Sequence, residues 1–391
     1  ISVLLIDMML HWANGFWGML SFSMQMAMVL VLGNTMASAG VFKKGLRSIA
    51  STAQTPSRAI MITAFVSAVC CWINWGFGLV IGALLAKEIA KQVKGVDYRL
   101  LIASAYSGFV VWHGGMSGSI PLGVAAVGAD GVVANTGGVI TEAIPTSLTI
   151  FSPMNLVISA IIIIGLPFVC RAMMPDKEHT IEVDAALLVE DAEKVYKIET
   201  PADKLEHSRI IWAIVLILGF AYIIYNIALN KLNSLNLNFV NFIFMFAGIL
   251  LHGNLKRYID AFADSAKSCS GILLQFPFYA GIQGMMTGAV AGVSLAGVIS
   301  TFFVGIATTT TFPLFTFLSA GIVNFFVPSG GGQWAVQGPI MMPAGLEIGV
   351  PAAKTAMAIA WGDAWTNMIQ PFWALPALGI AGLSAKDIMG Y

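Results

Sequence analysis

The residues best suited to chemistry gather where polar groups interrupt apolar sequence. In Asn324 to Gly338, NFFVPSGGGQWAVQG, four polar side chains, one proline and four glycines break a hydrophobic run. Ser329, Gly330, Gly331 and Gly332 read as a turn whose glycines permit positive φ and close backbone approach, as a loop cradling a carboxylate requires. Gln333 and Trp334 follow directly. The competing reading is a tight hairpin turn with no ligand. A second interruption, WHGGMSGSIP (Trp112 to Pro121), carries His113, Ser117, Gly118 and Ser119. The serines can donate to an anion or satisfy backbone carbonyls, and histidine is the side chain that changes charge near physiological pH. A third, GDAWTNMIQP (Gly362 to Pro371), holds Asp363, Asn367 and Gln370. Asp363 is the only carboxylate deep within an expected crossing. An intramembrane acid is costly and by default marks a function, here proton carriage or cation ligation, with a partnered structural aspartate as the alternative. The fourth runs from Asn74 through Gly76 to Gly78. Asn74 and Asn324 stand at matching points and can offer amide oxygens to an ion or cap half-helices.

These groups need a scaffold, and the composition identifies it. The 391 residues are 58% hydrophobic and 10% charged, with a mean hydropathy of +0.83. That is an all-α polytopic membrane protein, because the apolar runs are too long and continuous for barrel strands. Net charge is zero and no basic face accompanies aromatic residues, so nucleic acid is not a partner; the lipid bilayer is. Cys70, Cys71, Cys170 and Cys269 lie in or beside apolar segments without metal-ligand spacing and read as small core residues. HExxH, GxSxG and an aspartate pair in one span are all lacking, which argues against a membrane enzyme, and no cofactor is expected.

Basic residues set the orientation. A span from Phe16 to Ala39 is followed by Lys43, Lys44, Arg47 and Arg58, the cytoplasmic side by the excess of positive charge. Residues 1–15 are then expected outside, and a cytoplasmic N-terminus would need one more span before Ile1. Ile60 to Ile73 and Leu79 to Ala86 flank the Asn74 break with basic residues at both ends. A fourteen-residue arm reaches roughly 21 Å, short of the ~30 Å hydrocarbon core, so the segment reads as a re-entrant hairpin. Leu100 crosses outward through the Trp112 to Pro121 break, and 128–149 lies outside. Ile150 to Val169 returns. Residues 175–209, with half of the acidic residues, form a solvated cytoplasmic loop. Spans follow over Ile210 to Leu229 and Phe239 to Leu251. An interfacial amphipathic stretch, Tyr258 to Lys267, precedes Gly271 to Met286.

The two halves repeat one order. Residues 1–174 contain a hairpin (59–93) and a broken helix (97–127); residues 210–391 contain a hairpin (311–346) and a broken helix (350–383). Each hairpin is followed by a Gly-Val pair, Gly95-Val96 or Gly349-Val350. Five crossings lie between the hairpins, and an odd number inverts the second copy. Two inverted repeats, each with a re-entrant hairpin and a broken transmembrane helix, are the sequence signature of a secondary transporter with its site where the repeats meet. Half-helix N-termini there favour an anion. Carbonyls with Asn, Ser and Asp oxygens suit the coupling ion, H⁺ or Na⁺.

The chain resembles the short-chain fatty acid transporter family over essentially its full length. The matching stretches are GFWGMLSFSMQMAMVL, INWGFGLVIGA, GGMSGSIPL, QFPFYAGIQGMM, NFFVPSGGGQWAVQGP and QPFWALPALGIAGLSAKDIMGY. The resemblance implies uptake of acetoacetate, butyrate and similar monocarboxylates across a bacterial inner membrane. It also implies a place in a wider ion-transporter group with paired re-entrant hairpins, an elevator motion and a homodimer. Family members continue past DIMGY into another helix, and the position of His113 need not be histidine. A di- or tricarboxylate or amino-acid symporter on the same scaffold is the nearest alternative, separable by competition of butyrate uptake with succinate; a passive channel is another.

Overall fold

A computed structural model describes residues 2–391 except 19, 126–135, 137, 189–197, 231–236 and 291. Among the described residues the chain is helical, with one isolated β-bridge, Val290 to Val293. The helices are α1 (Ser2–Phe16), α2 (Leu20–Ser38), α3 (Gly40–Ala50), α4 (Pro56–Ile73), α5 (Trp75–Gln92) and α6 (Tyr98–Ser107). A 3-10 segment (Gly108–Gly114) leads to α7 (Ser119–Ala125), α8 (Pro153–Ala172), α9 (Pro201–Glu206), α10 (Arg209–Asn230) and α11 (Leu237–His252). Then come α12 (Leu255–Ala266), α13 (Ser270–Thr287), α14 (Leu295–Gly305), α15 (Phe312–Asn324), α16 (Gly330–Glu347), α17 (Ala352–Asn367), α18 (Pro371–Ala381) and α19 (Ala385–Ile388).

Among the described residues three stretches are long and apolar enough to cross a bilayer by length and composition, Pro56–Ile73, Pro153–Ala172 and Pro201–Asn230, with Ser23–Ser38 and Gly40–Ala50 a fourth if that bent pair is one span. The first corrects the expectation of a short arm. Thr55 caps the N–H of Arg58 and Pro56 occupies the first turn, so α4 begins before Ile60 and its eighteen residues span roughly 27 Å. Residues 2–16 form α1, which packs on α13. Gly15 lies against Ala280 and Gly284, and a Cβ on Gly284 would strike the carbonyl of His11. Small residues let two backbones approach this closely where no hydrophobic effect drives them together. Of the expected outer loop, 126–135 and 137 lie outside the described residues, as do the end of the first broken helix and Asp130. The charged loop is described except at 189–197. It contains α9 and docks through Ile181, whose N–H donates to Asp97 Oδ2 at 2.8 Å and whose carbonyl accepts from Tyr98 N at 2.8 Å.

Two helix pairs shape the centre. In the first, α4 passes to α5 through Asn74 alone, in extended conformation (φ −152°, ψ 119°), and the Asn74 side chain accepts from Phe77 N at 2.9 Å. In the second, α15 and α16 are separated by 325–329. There Ser329 has nearly the same backbone angles (φ −155°, ψ 121°) and its hydroxyl accepts from Gly332 N at 3.3 Å. Each pair then ends at a left-handed glycine, Gly95 (φ 73°) or Gly349 (φ 83°), where a side chain would strain the turn. Each is followed by a helix that breaks, α6 into α7 and α17 into α18.

Three of the four breaks are shorter than expected, and that of the first broken helix lies earlier. Trp75, Gly76, Phe77 and Gly78 belong to α5, leaving Asn74 as the whole interruption. Gly330 to Gly332 open α16 and do not appear among the glycines with positive φ. At Gly330 the lack of a side chain serves packing, not turn geometry, while Gly331 faces open space. Gly362 to Asn367 are helical, so the second break shrinks to Met368–Gln370, and the first is a 3-10 stretch followed by 115–118, with Pro121 inside α7. Gly362 is small because a Cβ there would collide with the Phe317 carbonyl and Ala320 of α15. The first half also grips the second: Lys87 Nζ donates to the carbonyl of Ile380 at 3.2 Å and Tyr98 Oη to that of Ala381 at 3.0 Å, holding the free carbonyls at the end of α18.

Candidate functional site

The two broken helices meet at a buried histidine–aspartate pair. His113, at the end of the 3-10 stretch, and Asp363, in the middle of α17, are both fully buried, with His113 Nδ1 2.8 Å from Asp363 Oδ2. The proton on the ring can be located from its other nitrogen. Nε2 lies 3.1 Å from the backbone N–H of Ile120, which can only donate, so Nε2 accepts and the proton sits on Nδ1, pointing at Asp363. Ser119 Oγ also lies 3.2 Å from Nε2. In this arrangement histidine is neutral. Asp363 Oδ2 receives a second donor, Asn367 Nδ2 at 2.9 Å, one helical turn on, while Oδ1 is buried with no hydrogen-bond partner. A bare carboxylate oxygen in an apolar interior is costly, and a proton, a cation or a bound water relieves that cost.

The network reaches the second hairpin through Asn324, at the end of α15. Its Nδ2 faces the Asp363 carbonyl (2.9 Å), Thr366 Oγ1 (2.7 Å) and Asn367 Oδ1 (3.1 Å), and its carbonyl accepts from Gln370 Nε2 at 2.5 Å. Asn324 Oδ1 and Gln370 Oε1 are buried without partners. Asn324, Asp363 and Gln370, joined in one network, thus each keep a buried oxygen without a donor, the atom type that hard cations prefer. Tyr106 Oη fixes the same break from α6 by donating to the Asn367 carbonyl at 2.8 Å.

The tip of the second hairpin completes the junction. A Cβ on Gly330 would collide with Ser119 Oγ and the His113 ring, so the first turn of α16 rests directly on the pair's histidine. Gly331 is exposed and faces open space. In the first turn of α16 Ser329 takes the N–H groups of Gly332 and Gln333, which leaves those of Gly330, packed on Ser119, and Gly331 at the helix end. Gly118 is tight for another reason: a Cβ there would strike the His113 carbonyl.

Other residues of the expected site are occupied elsewhere. Ser117 Oγ accepts from Trp75 N at 3.0 Å, and Met116 N donates to the Trp72 carbonyl at 2.7 Å, so this segment ties down the first hairpin. Asn74 caps α5, its Nδ2 buried and unpaired, and Gly76 lies buried inside that helix. Gln333 is buried between the arms of the second hairpin, donating to the Ala320 carbonyl (3.0 Å) and to Gln337 Oε1 (2.6 Å). Trp334 is buried against the apolar cluster of Ile120, Val124 and Phe312. Trp75 and Trp112 belong to an aromatic stack with Phe109 and Trp373, the Trp75 and Trp373 rings being 5.3 Å apart and perpendicular. That stack joins the first hairpin tip to α18, while Gly330 joins the second tip to α7.

Sequence reading missed Asn155 and Thr366. Thr366 was embedded in a stretch taken as unwound, and Asn155 sits in the first turn of an otherwise ordinary apolar helix, where only its polarity marks it.

The family model described as short chain fatty acid transporter matches residues 2–391. A protein of Escherichia coli (strain K12) is 46% identical over 389 residues, covering 99% of this chain and 86% of the relative. One of Haemophilus influenzae is 45% identical over 395 residues with the same coverage. Both bear short-chain fatty acid transporter as a provisional name. Among solved structures, the Alcanivorax borkumensis YdaH transporter is similar at a TM-score of 0.49 and 17% identity, covering 97% of this chain and 82% of that one.

Proposed function

This chain belongs to the short-chain fatty acid transporter family, and we propose that it imports short-chain monocarboxylates such as butyrate and acetoacetate by symport with H⁺ or Na⁺. The observation that carries the reading is the buried pair of His113 and Asp363 with its bare Oδ1, set where both broken helices and the second hairpin tip meet. The cation joins Asp363 and the oxygens of Asn324 and Gln370. The substrate carboxylate takes the first-turn N–H groups of Gly330 and Gly331 and the hydroxyl of Ser119, with Trp334 and its apolar neighbours beside the tail.

Coupling follows from charge. An anion entering beside Ser119 meets Asp363 two hydrogen bonds away, and the repulsion is relieved only when a cation or proton has neutralised Asp363. Inverted repeats supply the alternation. The matched caps at Asn74 and Ser329, the left-handed Gly95 and Gly349, and the crossed contacts of each hairpin tip with the other half's second half-helix support two copies of one unit. In this reading both hairpins are re-entrant in the bacterial inner membrane, and the bundle they form moves as an elevator against the remaining helices.

The test is butyrate uptake into proteoliposomes with Na⁺ and pH gradients imposed separately. One gradient is expected to drive accumulation in the wild type, and Asp363→Asn, which keeps the shape of the pair, is expected to remove that dependence. Gradient-driven accumulation at the wild-type level in Asp363→Asn defeats the assignment, and full competition by succinate turns the substrate class to dicarboxylates.

A further inference from the structure

Asn155 lies in the first turn of α8, is 1% exposed, and has both amide N–H groups and its amide oxygen paired. Nδ2 donates to the carbonyls of Gly114 (2.8 Å) and Ile150 (2.7 Å), and Oδ1 accepts from the indole N–H of Trp361 at 2.9 Å. Its two outward partners neighbour His113 and Asp363 in sequence. Gly114 directly follows His113, and Trp361 precedes Asp363 by two. There is no slack between them: a Cβ on Gly114 would strike the Trp361 ring and crowd Asn155 Oδ1.

We propose that Asn155, acting with Trp361, is a positioning residue that sets the contact between His113 and Asp363 and thereby the coupling of transport to its cation; this rests on the symport reading above. The argument is geometric. Residues two apart on a helix point to different sides, so Trp361 held by α8 fixes the rotation of α17 and with it the direction of Asp363. The same amide holds the Gly114 carbonyl, which fixes the end of the 3-10 stretch and the plane of the neighbouring histidine. A planar amide with two donors and one acceptor is the chemistry needed to bind a carbonyl on one element and an indole N–H on another at once. An apolar residue of the same size would fill the space and orient neither. Buried amides are retained where all their bonds are made, and here the bonds end on the two segments whose mutual placement decides the pair.

Two conservative variants test this. Trp361→Phe keeps an aromatic ring and removes the N–H; Asn155→Asp keeps the shape and removes the donors to Gly114 and Ile150. The first readout is independent of transport: ¹⁵N-histidine NMR of the full chain, with the His113 signals assigned by their loss in His113→Gln. Wild type is expected to show a neutral ring protonated at Nδ1, and both variants a ring exchanging between tautomers. The second is cation-driven butyrate accumulation, expected to fall about tenfold in the variants, the scale on which groups that orient a binding residue act. The concentration for half-maximal uptake should stay within twofold of wild type. Wild-type histidine shifts in both variants, or a changed ring with unchanged coupling, overturns the proposal. If wild type accumulates no butyrate under either gradient, the symport reading fails instead, and the NMR arm still decides whether Asn155 and Trp361 set the pair. A variant that does not fold leaves the decision to the other, and loss of fold in both marks a structural brace and refutes the proposal.

Discussion

The two hairpins begin their second helix in the same way and are built differently behind it. In the first, glycine closes the gap between the arms. A Cβ on Gly78 would collide with the backbone of Cys71, one on Gly82 would press on Ser67, and Ser67 Oγ in turn donates to the carbonyl of Ala105. In the second, amides bridge the arms. Gln333 reaches the Ala320 carbonyl of α15, and Gln337 Nε2 reaches Ser319 of α15 at 2.9 Å and Ser300 of α14 at 3.1 Å. The tips differ as well. Asn74 and Trp75 are buried and Trp75 N is capped by Ser117, whereas Phe325 (54% exposed) and Phe326 lie open and Gly331 faces free space. The lesson is a division of labour. A seam of small residues makes a rigid wall, while a polar seam with an open tip can part at the cost of exchanging hydrogen bonds, so the second hairpin is suited to be the gate of the proposed cycle.

The largest expected effect breaks the comparison where packing is tightest. Gly78→Ala is expected to destabilise the protein by about 1–3 kcal/mol, because the new methyl must displace backbone. Gly331→Ala, also early in its helix but facing space, should be neutral or raise stability by about 0.5–1 kcal/mol through helix propensity. Thermal unfolding in detergent reads both, and equal losses would erase the contrast. Next, Gln337→Leu leaves Ser300, Ser319 and Gln333 without their shared partner and should cost about 1–3 kcal/mol. If the polar seam belongs to the gate, the same variant alters the rate of butyrate exchange more than Gly82→Ala does; the reverse order would place the moving part in the first hairpin. The smallest effect separates two serines. Ser117→Ala removes a cap from Trp75 N and should lower stability by about 1 kcal/mol with little change in apparent substrate affinity. Ser119→Ala should leave unfolding unchanged and raise the substrate concentration needed for half-maximal uptake.

Much of this plan was legible in the chain. Interrupted apolar runs locate all four breaks, because glycine, proline and polar residues inside hydrophobic sequence have few other uses. Asp363 stood out because a carboxylate so placed needs a partner. Glycine's two roles caused the main errors. Gly362, Gly331 and Gly332 read as unwinding signals, yet they lie in regular helix. Gly362 is small to admit α15, a cause that exists only once a neighbouring element is in place. The pairing of His113 with Asp363 spans 250 residues and rests on the 3-10 twist after Ser107, which no local pattern announces. Asn155 was invisible for the same reason: its significance is wholly in what it touches.

The grip of Lys87 and Tyr98 on the final carbonyls of α18 has a mechanical corollary. Those anchors belong to the first half of the chain and the strand of helix they clasp to the second, so neither half can be shifted alone without uncovering peptide oxygens in oil. In the proposed cycle both halves' inner helices travel together, like a single piston drawn from two interleaved castings.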